Sequence, residues 1–273
     1  MKYDCSPSII LDKLKKYKIE RRNASESNTI YPKKSFDGNK VKKAYMIGFR
    51  LGDLNAKKCE GNSSLIRIKS STTKLAQVKL IKDIFGCYGH FYAKKIRGVY
   101  RVECSLHKSF NFLLPKKDKV EDWILKNNRL FFAFLAGYTD AEGCIKLSQN
   151  RARYRVGSYD KNLLNQAYKK LKELNLYPRY RLETKAGTTY SGVKHNGDFW
   201  GIIISNKLAL LKLFEFLEPH MHHSSKLKDL KRAKENIIRR NINFGIKGAK
   251  IYEYENILCH YPDLLYKLKT NSG

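Results

Sequence analysis

The sequence is short of acidic residues, and this shortage gives the chain a large positive charge. Its 273 residues include 25 Asp and Glu against 55 Lys and Arg, for a formal net charge of +30 at pH 7. No basic low-complexity tail carries this charge. On an otherwise ordinary composition, 42% hydrophobic and 12% aromatic, such a surplus is typical of proteins that neutralise the phosphates of a polyanion. We therefore expect nucleic acid as the partner, ahead of an anionic membrane.

Other absences narrow the class of protein. The six cysteines show no CxxC spacing, which argues against a disulfide framework and favours reduced, packed thiols. The first residues, MKYDCSPSII, lack the apolar region of a signal peptide, and no apolar run approaches the ~20 residues of a membrane span. We expect a soluble intracellular protein without a membrane partner, in the cytoplasm or nucleoid or in an organelle.

An internal repeat divides the chain into two similar halves. AYMIGFRLGDLNA (44–56) and FFAFLAGYTDAEGCI (131–145) are both apolar segments with two small residues four positions apart, followed at once by an acid. These acids are Asp53 and Glu142. IRIKS and YRVGS then end in a serine, Ser70 and Ser158, at nearly the same distance from each acid. The similarity is therefore not confined to the first segment.

Each copy continues with the same series of predicted elements. A helical pattern of apolar residues follows each serine. Strand-like alternation comes next, in GVYRVECSL (98–106) of the first copy and in RYRLE (179–183) and DFWGIIIS (198–205) of the second. The polar segment KAGTTYSGVKHNG (185–197) predicts a long hairpin connection, and helical sequence closes each copy. The predicted unit is helix, two strands, helix, two strands, helix, occurring twice.

The repeat also predicts the domain boundaries. We expect an N-terminal extension at 1–35, a first half at 40–114, a Lys-rich linker at 115–129, a second half at 130–245 and a C-terminal segment at 246–273 of unassigned function. Within the extension, SIILDKLKKYKIERRNASESN (8–28) predicts an amphipathic helix and a turn that dock on the fold or stabilise it. Half of a helix-turn-helix is the alternative.

The small residues of the repeated segments predict a close crossing of two helices. Large side chains hold packed helix axes ~8–10 Å apart, whereas small residues allow a closer approach. The first helix has Gly48 and Gly52 on one face, and the second has Gly137 and Ala141. We therefore predict that these four residues form the interface between the halves.

Such a crossing would bring Asp53 and Glu142 side by side at two helix C-termini. Two carboxylates at two partly negative helix ends raise each other's pKa unless a cation lies between them. A hard divalent cation relieves this repulsion, so both acids are predicted metal ligands, with Mg²⁺ as the expected ion. Asp140 is expected to cap or fix its helix end, because the first copy has Leu51 at the equivalent position.

A metal site facing a phosphodiester predicts strand hydrolysis. The ion polarises the phosphoryl oxygen, activates a water and stabilises the leaving oxygen. The histidines of HMHH (220–223) lack cysteine partners and the usual spacing of zinc ligands, so we predict no zinc site there.

LAGYTDAEG (135–143) resembles the nine-residue motif of the LAGLIDADG homing endonucleases, in their single-chain form with two motifs. Glu142 stands in the eighth, acidic place, and the other matches are Leu135, Ala136, Gly137, Asp140, Ala141 and Gly143. IGFRLGDL (47–54) is a degenerate copy that keeps Gly48 and the eighth-place Asp53. The resemblance covers about residues 40 to 240.

The resemblance implies an α+β fold of two pseudo-twofold-related αββαββα halves, packed through the motif helices, each with a four-stranded antiparallel saddle for the DNA major groove. It implies a monomer that binds a long, asymmetric duplex and hydrolyses both strands, with Asp53 and Glu142 holding the catalytic ions. It also implies a lysine before the last long helix of a half. Lys226 is the candidate, and its first-half partner stays open among Lys116, Lys117 and Lys119.

Basic residues alternate with apolar residues along several predicted strands, as in RARYRV (151–156). One such face alone is typical of a solvated strand, but matching faces in both copies favour contact with DNA. The predicted DNA-binding residues are Arg67, Lys69, Arg101, Arg151, Arg153, Arg155, Arg179 and Arg181.

Two other functions stay open on the same fold. An intron maturase would hold intron RNA on the basic saddle, and the retained acids favour the nuclease over it. A transcription regulator would use residues 1–30 as part of its DNA reader, and loss of the acids would be expected. An intein is not expected, because the chain begins with Met1 and ends in TNSG.

Overall fold

The computed structural model describes residues 6–19, 31–59, 65–190, 192–244 and Pro262. In chain order, the helices are α1 (Pro7–Lys16), α2 (Lys40–Asp53), α3 (Leu75–Phe85), α4 (Asp122–Leu125), α5 (Asn128–Glu142), α6 (Lys161–Glu173), α7 (Lys207–Leu217) and α8 (Ser224–Phe244). Short 3₁₀ helices occur at Lys108–Leu113 and Glu218–His220. The strands are β1 (Asn55–Lys58), β2 (Ile66–Thr72), β3 (His90–Ile96), β4 (Val99–Leu106), β5 (Gly143–Ser148), β6 (Arg151–Ser158), β7 (Arg179–Thr184), β8 (Thr189–Tyr190), β9 (Val193–Lys194) and β10 (Phe199–Ile204).

Eight of these strands form two antiparallel sheets of four, one in each half. The strand order is β1-β2-β4-β3 in the first sheet and β5-β6-β10-β7 in the second. The same series of helices and strands therefore builds both halves, which confirms the predicted α+β fold. The small hairpin of β8 and β9 lies within the long connection between β7 and β10.

One face of each sheet is buried because its strands alternate apolar and polar residues. In β2, Ile66 and Ile68 are buried while Arg67 and Lys69 are only partly so. In β6, Ala152, Tyr154 and Val156 are buried. These residues join the helices in one hydrophobic core. The opposite face of each sheet is left uncovered by the helices.

The helices α2 and α5 form the centre of the fold. Each begins at an asparagine whose side chain accepts a backbone N–H of the first turn, from Lys42 to Asn39 and from Leu130 to Asn127. Every residue of α5 from 130 to 140 is buried. A helix that is buried on all sides must be packed by both halves, and this position fixes its C-terminal end in the middle of the molecule.

The segment between the halves is ordered and docked on the second half. Val120 and Ile124 are fully buried, and α4 lies within residues 115–129. The Asp118 carboxylate accepts the backbone N–H groups of Asn162 (3.0 Å) and Leu163 (2.8 Å), which satisfies the first turn of α6.

The N-terminal helix is largely exposed. Within the described residues, α1 has no fully buried side chain; Leu11 and Leu14 are partly buried, and Ile9 and Ile10 are 49% and 45% exposed. Its role in docking on the fold or stabilising it stays a prediction. The helix-turn-helix alternative depends on residues 20–30, which lie outside the described residues. Of the segment 246–273, Pro262 is the one described residue, so the prediction for this segment also lies outside the described residues. Among the described residues, no helix is long and apolar enough to cross a bilayer.

Candidate active site and nucleic-acid interface

The crossing of α2 and α5 depends on glycine in both halves. A Cβ on Gly48 would overlap the carbonyl oxygen of Phe134, and a Cβ on Gly137 would overlap that of Tyr45. Tyr45 and Phe134 stand three residues before these glycines, so the two contacts are related by pseudo-twofold symmetry. One turn later, Gly52 faces Ala141. The structure therefore places the four small residues at the crossing.

The C-terminal ends of α2 and α5 meet at this crossing, and each end carries an acid. Asp53 is the last residue of α2, and Glu142 is the last residue of α5. A Cβ on Gly52 would lie 2.9 Å from Cγ of Glu142, so the acid of one helix lies against the end of the other. The structure thus brings together the two acids that the repeat singles out.

The two acids are electrostatically linked. Burial raises the pKa of Asp53, while Lys226, Lys74 and a hydrogen bond from Gln77 oppose this rise. Burial also raises the pKa of Glu142, and the charge of Asp53 adds to it. Each carboxylate therefore costs free energy to ionise here, and a positive charge between them would lower that cost.

Lys226 of α8 lies beside both acids and closes the end of α5. Its Nζ atom donates to the backbone carbonyl oxygens of Thr139 (2.8 Å), Asp140 (2.8 Å) and Ala141 (2.9 Å). These carbonyls belong to the last helical turn, where the helix end is partly negative; that of Thr139 also accepts the backbone N–H of Gly143. Burial lowers the pKa of Lys226, while the neighbouring acids oppose this. Its action on a phosphate stays a prediction.

Asp140 connects the helix crossing to the loop that precedes α8. Its Oδ2 atom accepts the Tyr45 hydroxyl (2.8 Å) and the backbone N–H groups of His222 (2.7 Å) and His223 (3.1 Å). Burial raises the pKa of Asp140, and these donors oppose the rise. Asp140 therefore fixes the loop that leads into the Lys226 helix, in addition to standing near the end of its own helix.

Three further residues lie at the site that the strand and motif patterns do not identify. Gln77 is buried, and its Nε2 atom donates to Oδ2 of Asp53. The charge of Lys74 acts on Asp53, and that of Lys116 acts on Glu142. Lys116 belongs to the group of three lysines left open by the sequence. No sequence pattern marks Gln77 or Lys74, because only the folded chain brings the start of α3 to the end of α2.

The two carboxylates at the helix ends fit a hard divalent cation. Two carboxylates offer oxygen ligands, and their mutual repulsion favours a positive ion. Nearby histidines have other contacts, since His223 Nδ1 lies 3.0 Å from the Ser225 hydroxyl and the His222 ring packs edge-on against Tyr45. In the part of the chain that the structure describes, no three His, Cys, Asp or Glu residues cluster as a metal site. Asp53 and Glu142 are the residues that would hold the ion.

The open face of the first sheet is basic. Cross-strand partners project to the same face, so the register places Lys57 opposite Arg67, and Lys94 opposite Arg101. The basic residues of this face are Lys57, Arg67, Lys69, Lys94 and Arg101. Lys57 and Lys94 are additions to the predicted set. One acid interrupts the face, since Glu103 accepts Lys69 at 2.6 Å.

The open face of the second sheet is also basic. Its register places Lys146 opposite Arg153, and Arg181 opposite Gly201 beside the β6 arginines. The basic residues of this face are Lys146, Arg151, Arg153, Arg155, Arg179 and Arg181. Lys146 is the addition here. The edge strands β1 and β5 each begin within two residues of an acid, so each acid lies next to the start of one sheet.

The second half matches a known domain family. Residues 130–217 match the family model described as a LAGLIDADG-like domain. The match begins in the motif helix α5 and ends at α7, so it includes the whole second sheet. Among curated proteins, no sequence matches the chain.

Similar solved structures span more of the chain than the family model does. The crystal structure of I-DmoI in complex with DNA and Ca is 19% identical, with a TM-score of 0.50 over 71% of this chain and 98% of that chain. The homing endonuclease I-WcaI, bound to its DNA recognition sequence, is 19% identical with a TM-score of 0.49, over 69% and 86% of the two chains. Full-length DUF199/WhiA from Thermatoga maritima is 12% identical with a TM-score of 0.48, over 83% and 68%. At this low identity, the similarity to I-DmoI shows only that the fold is that of a homing endonuclease.

Proposed function

We propose that the protein is a site-specific DNA endonuclease that binds a long, asymmetric duplex as a monomer and hydrolyses both strands with a divalent metal. One observation carries the proposal: Asp53 and Glu142 lie together at the crossing of two helices, between two sheets with basic open faces. An acid pair between two phosphate-binding surfaces is suited to phosphodiester hydrolysis.

The basic faces supply the binding surface. A net charge of +30 favours a polyanion, and each lysine or arginine that contacts a phosphate releases condensed counterions. A strand pair or sheet fits the width of the major groove, where base edges are distinguishable. Because the two faces carry different residues, the two half-sites of the duplex would differ, and the complete site would be asymmetric.

A divalent cation held by Asp53 and Glu142 would polarise the phosphoryl oxygen and lower the pKa of a water, and Mg²⁺ is the ion that we propose. The protein groups around this position would orient the carboxylates and neutralise negative charge. Gln77 holds Asp53 through Oδ2 and so fixes the direction of that carboxylate. Lys226, Lys74 and Lys116 bring positive charge to the acids, which would stabilise the charge that develops on the scissile phosphates. The I-DmoI complex with DNA and Ca supports a divalent ion at such a site.

The test is cleavage of a duplex pool with a long randomised segment, followed by sequencing of the cut molecules. The wild-type protein should select one asymmetric sequence and cut both strands with Mg²⁺. With a chelator it should not cut. With Ca²⁺ it should bind but cut little, because the longer, looser coordination of Ca²⁺ positions water and phosphate poorly.

Variants of the two acids test the site itself. Asp53→Asn and Glu142→Gln keep size but remove the charge that holds the ion, so each should fold, bind the selected duplex and lose double-strand cleavage by roughly 100-fold or more. Glu173→Gln is the matched control, since Glu173 also ends a helix but pairs only with Lys170 on the surface. Normal double-strand cutting by folded Glu142→Gln would refute the proposal. No observation favours the maturase or the regulator over this function.

A further inference from the structure

An ion pair on the open face of the second sheet differs from its counterpart on the first. Arg155 of β6 donates through Nε to both carboxylate oxygens of Glu183, at 3.1 and 2.9 Å, and through Nη2 to one of them. The side chains are 37% and 11% exposed. On the first sheet, Lys69 and Glu103 share one contact of 2.6 Å, with side chains 42% and 41% exposed. The second-sheet pair is therefore more buried and more fixed in direction.

The backbone makes room for this pair. β10 lies between β6 and β7, so the Glu183 carboxylate must reach across a strand to meet Arg155. It does so over Gly201, where a Cβ would lie 2.9 Å from Oε2 and closer still to the rest of the carboxylate. The register of β7 and β10 shifts between Phe199 and Trp200, next to Glu183, as at a β-bulge. A glycine and an irregular register together allow the crossing.

A ring and a second glycine fix the arginine further. The guanidinium carbon of Arg155 lies 5.6 Å from the centroid of the Phe199 ring. A Cβ on Gly157 would lie 2.7 Å from that ring and 3.2 Å from Nη2 of Arg155. The guanidinium is thus held by a carboxylate at one edge and by an aromatic ring. The edge formed by Nη1 and the second N–H of Nη2 points away from Glu183.

We propose that Glu183 is a positioning residue that determines specificity, because it holds Arg155 in the orientation that reads one base pair. This inference rests on the proposed function, since it requires a duplex on the open face. An arginine whose charge is balanced by a carboxylate gains little from a phosphate. Its remaining edge still has two parallel N–H groups, which match the O6 and N7 acceptors of guanine in the major groove. Arg155 therefore contributes base choice, and Glu183 sets that choice without touching the base.

The test measures base preference at every position of the selected duplex, by binding without cleavage in Ca²⁺. In Glu183→Gln, the preference at one base pair should fall roughly tenfold or more, with the other positions within about twofold of the wild type. Glu103→Gln is the matched control, because it also removes one negative charge from an open face. It should leave every preference within about twofold, since Lys69 is already half exposed.

Arg155→Lys gives an independent check, because lysine has no planar fork. It should relax the same base pair as Glu183→Gln, with folding of each variant verified by circular dichroism. Unchanged preferences in folded Glu183→Gln, or relaxation of different positions by the two variants, would overturn the assignment. Failure of the wild-type protein to select any sequence would overturn the proposed function, and this assignment with it. Because the wild type is measured first, the two failures are distinguishable.

Discussion

The two motif helices share one backbone arrangement at their crossing but end in different ways. In the first half, Arg50 donates to the backbone carbonyl oxygens of Leu113 (2.9 Å) and Leu54 (2.5 Å), and Leu51 is buried. In the second half, Lys226 donates to the end of α5 from 85 to 87 residues away along the chain, and Asp140 replaces Leu51. At the first helix end, an arginine of the helix itself donates to carbonyls beyond the helix, whereas at the second a lysine of a later helix donates to the last turn.

This comparison shows which features of the pseudo-twofold arrangement are constrained. Backbone contacts at Gly48 and Gly137 leave no space for a side chain, so both halves must keep them. The polar groups near each helix end face no such limit, because Arg50 donates to carbonyls beyond α2, whereas Lys226 donates to the last turn of α5. The pseudo-twofold symmetry therefore applies to the helix crossing, whereas the polar contacts near the two acids differ between the halves.

The largest effect should come from breaking the crossing itself. Gly48→Ala and Gly137→Ala each place a Cβ on a backbone oxygen of the other helix, and neither helix can move without disturbing the core. Each variant should lose about 3 kcal/mol or more of unfolding free energy, measured by denaturant titration. Similar losses in the two variants would support equal use of the crossing by both halves. Gly197→Ala is the control, because its Cβ would lie 3.4 Å from Tyr159, an ordinary contact.

The helix-end cations should separate activity from stability. Lys226→Met removes three hydrogen bonds and a charge beside both acids, so it should slow cleavage strongly with little loss of duplex affinity, and lower the unfolding free energy by about 1–3 kcal/mol. Arg50→Met should lower stability by a similar amount but leave the cleavage rate of the folded protein near that of the wild type. If Lys226→Met loses binding and cleavage together, Lys226 is a phosphate anchor.

Replacement of Asp140 should affect the fold more than the chemistry. In Asp140→Asn, the amide oxygen can take the place of Oδ2 but carries no charge for its three donors, and the NH2 group takes the buried place of Oδ1, which has no hydrogen-bond partner. We expect a loss of about 1–3 kcal/mol in unfolding free energy, with cleavage reduced less than in Glu142→Gln. Leu51→Met, at the equivalent place of the first half, should cost under about 1.5 kcal/mol. A folded Asp140→Asn that is inactive but fully stable would contradict this role.

The smallest effects concern the open faces. Duplex affinity should fall steeply with salt, and replacing one phosphate-contacting residue should reduce the log–log slope by about 0.9. Lys57→Gln and Lys146→Gln test one basic residue on each sheet. Comparable changes of slope would mean that both halves neutralise phosphate, whereas a change confined to one sheet would assign non-specific binding to that half. A flat salt response in the wild type would contradict phosphate binding altogether.

The repeat predicted the series of helices and strands in each half, and its small residues predicted the meeting of Asp53 with Glu142. The antiparallel sheets and the pseudo-twofold arrangement were implied by the family resemblance. Small residues four positions apart in a helix indicate a close helix crossing, and an acid directly after them in both copies marks an equivalent position. Strand alternation likewise placed the basic residues, since a period of two has only two faces. These features come from residues that are close together in the chain, so they can be recognised in the sequence.

The residues that the sequence could not identify depend on contacts between distant segments. Gln77 reaches Asp53 only because α3 packs against the end of α2, and Arg50 looks like any helical surface arginine until Leu113 lies beside it. The contact between Glu183 and Arg155 requires a register shift that no periodicity reveals. In α1 the amphipathic pattern predicted docking but did not reveal that Ile9 and Ile10 are about half exposed in the fold.

The position of Lys226 in the chain has a consequence for biosynthesis. A ribosome makes both acids and every strand of the two four-stranded sheets before it reaches the loop fixed by Asp140. Until α8 packs at the end of α5, a nascent chain has the two carboxylates without the Lys226 ammonium group that donates to the helix carbonyls. The acid pair therefore gains this neighbouring cation only after α8 has been synthesised, and a chain released before α8 would carry the acids without it.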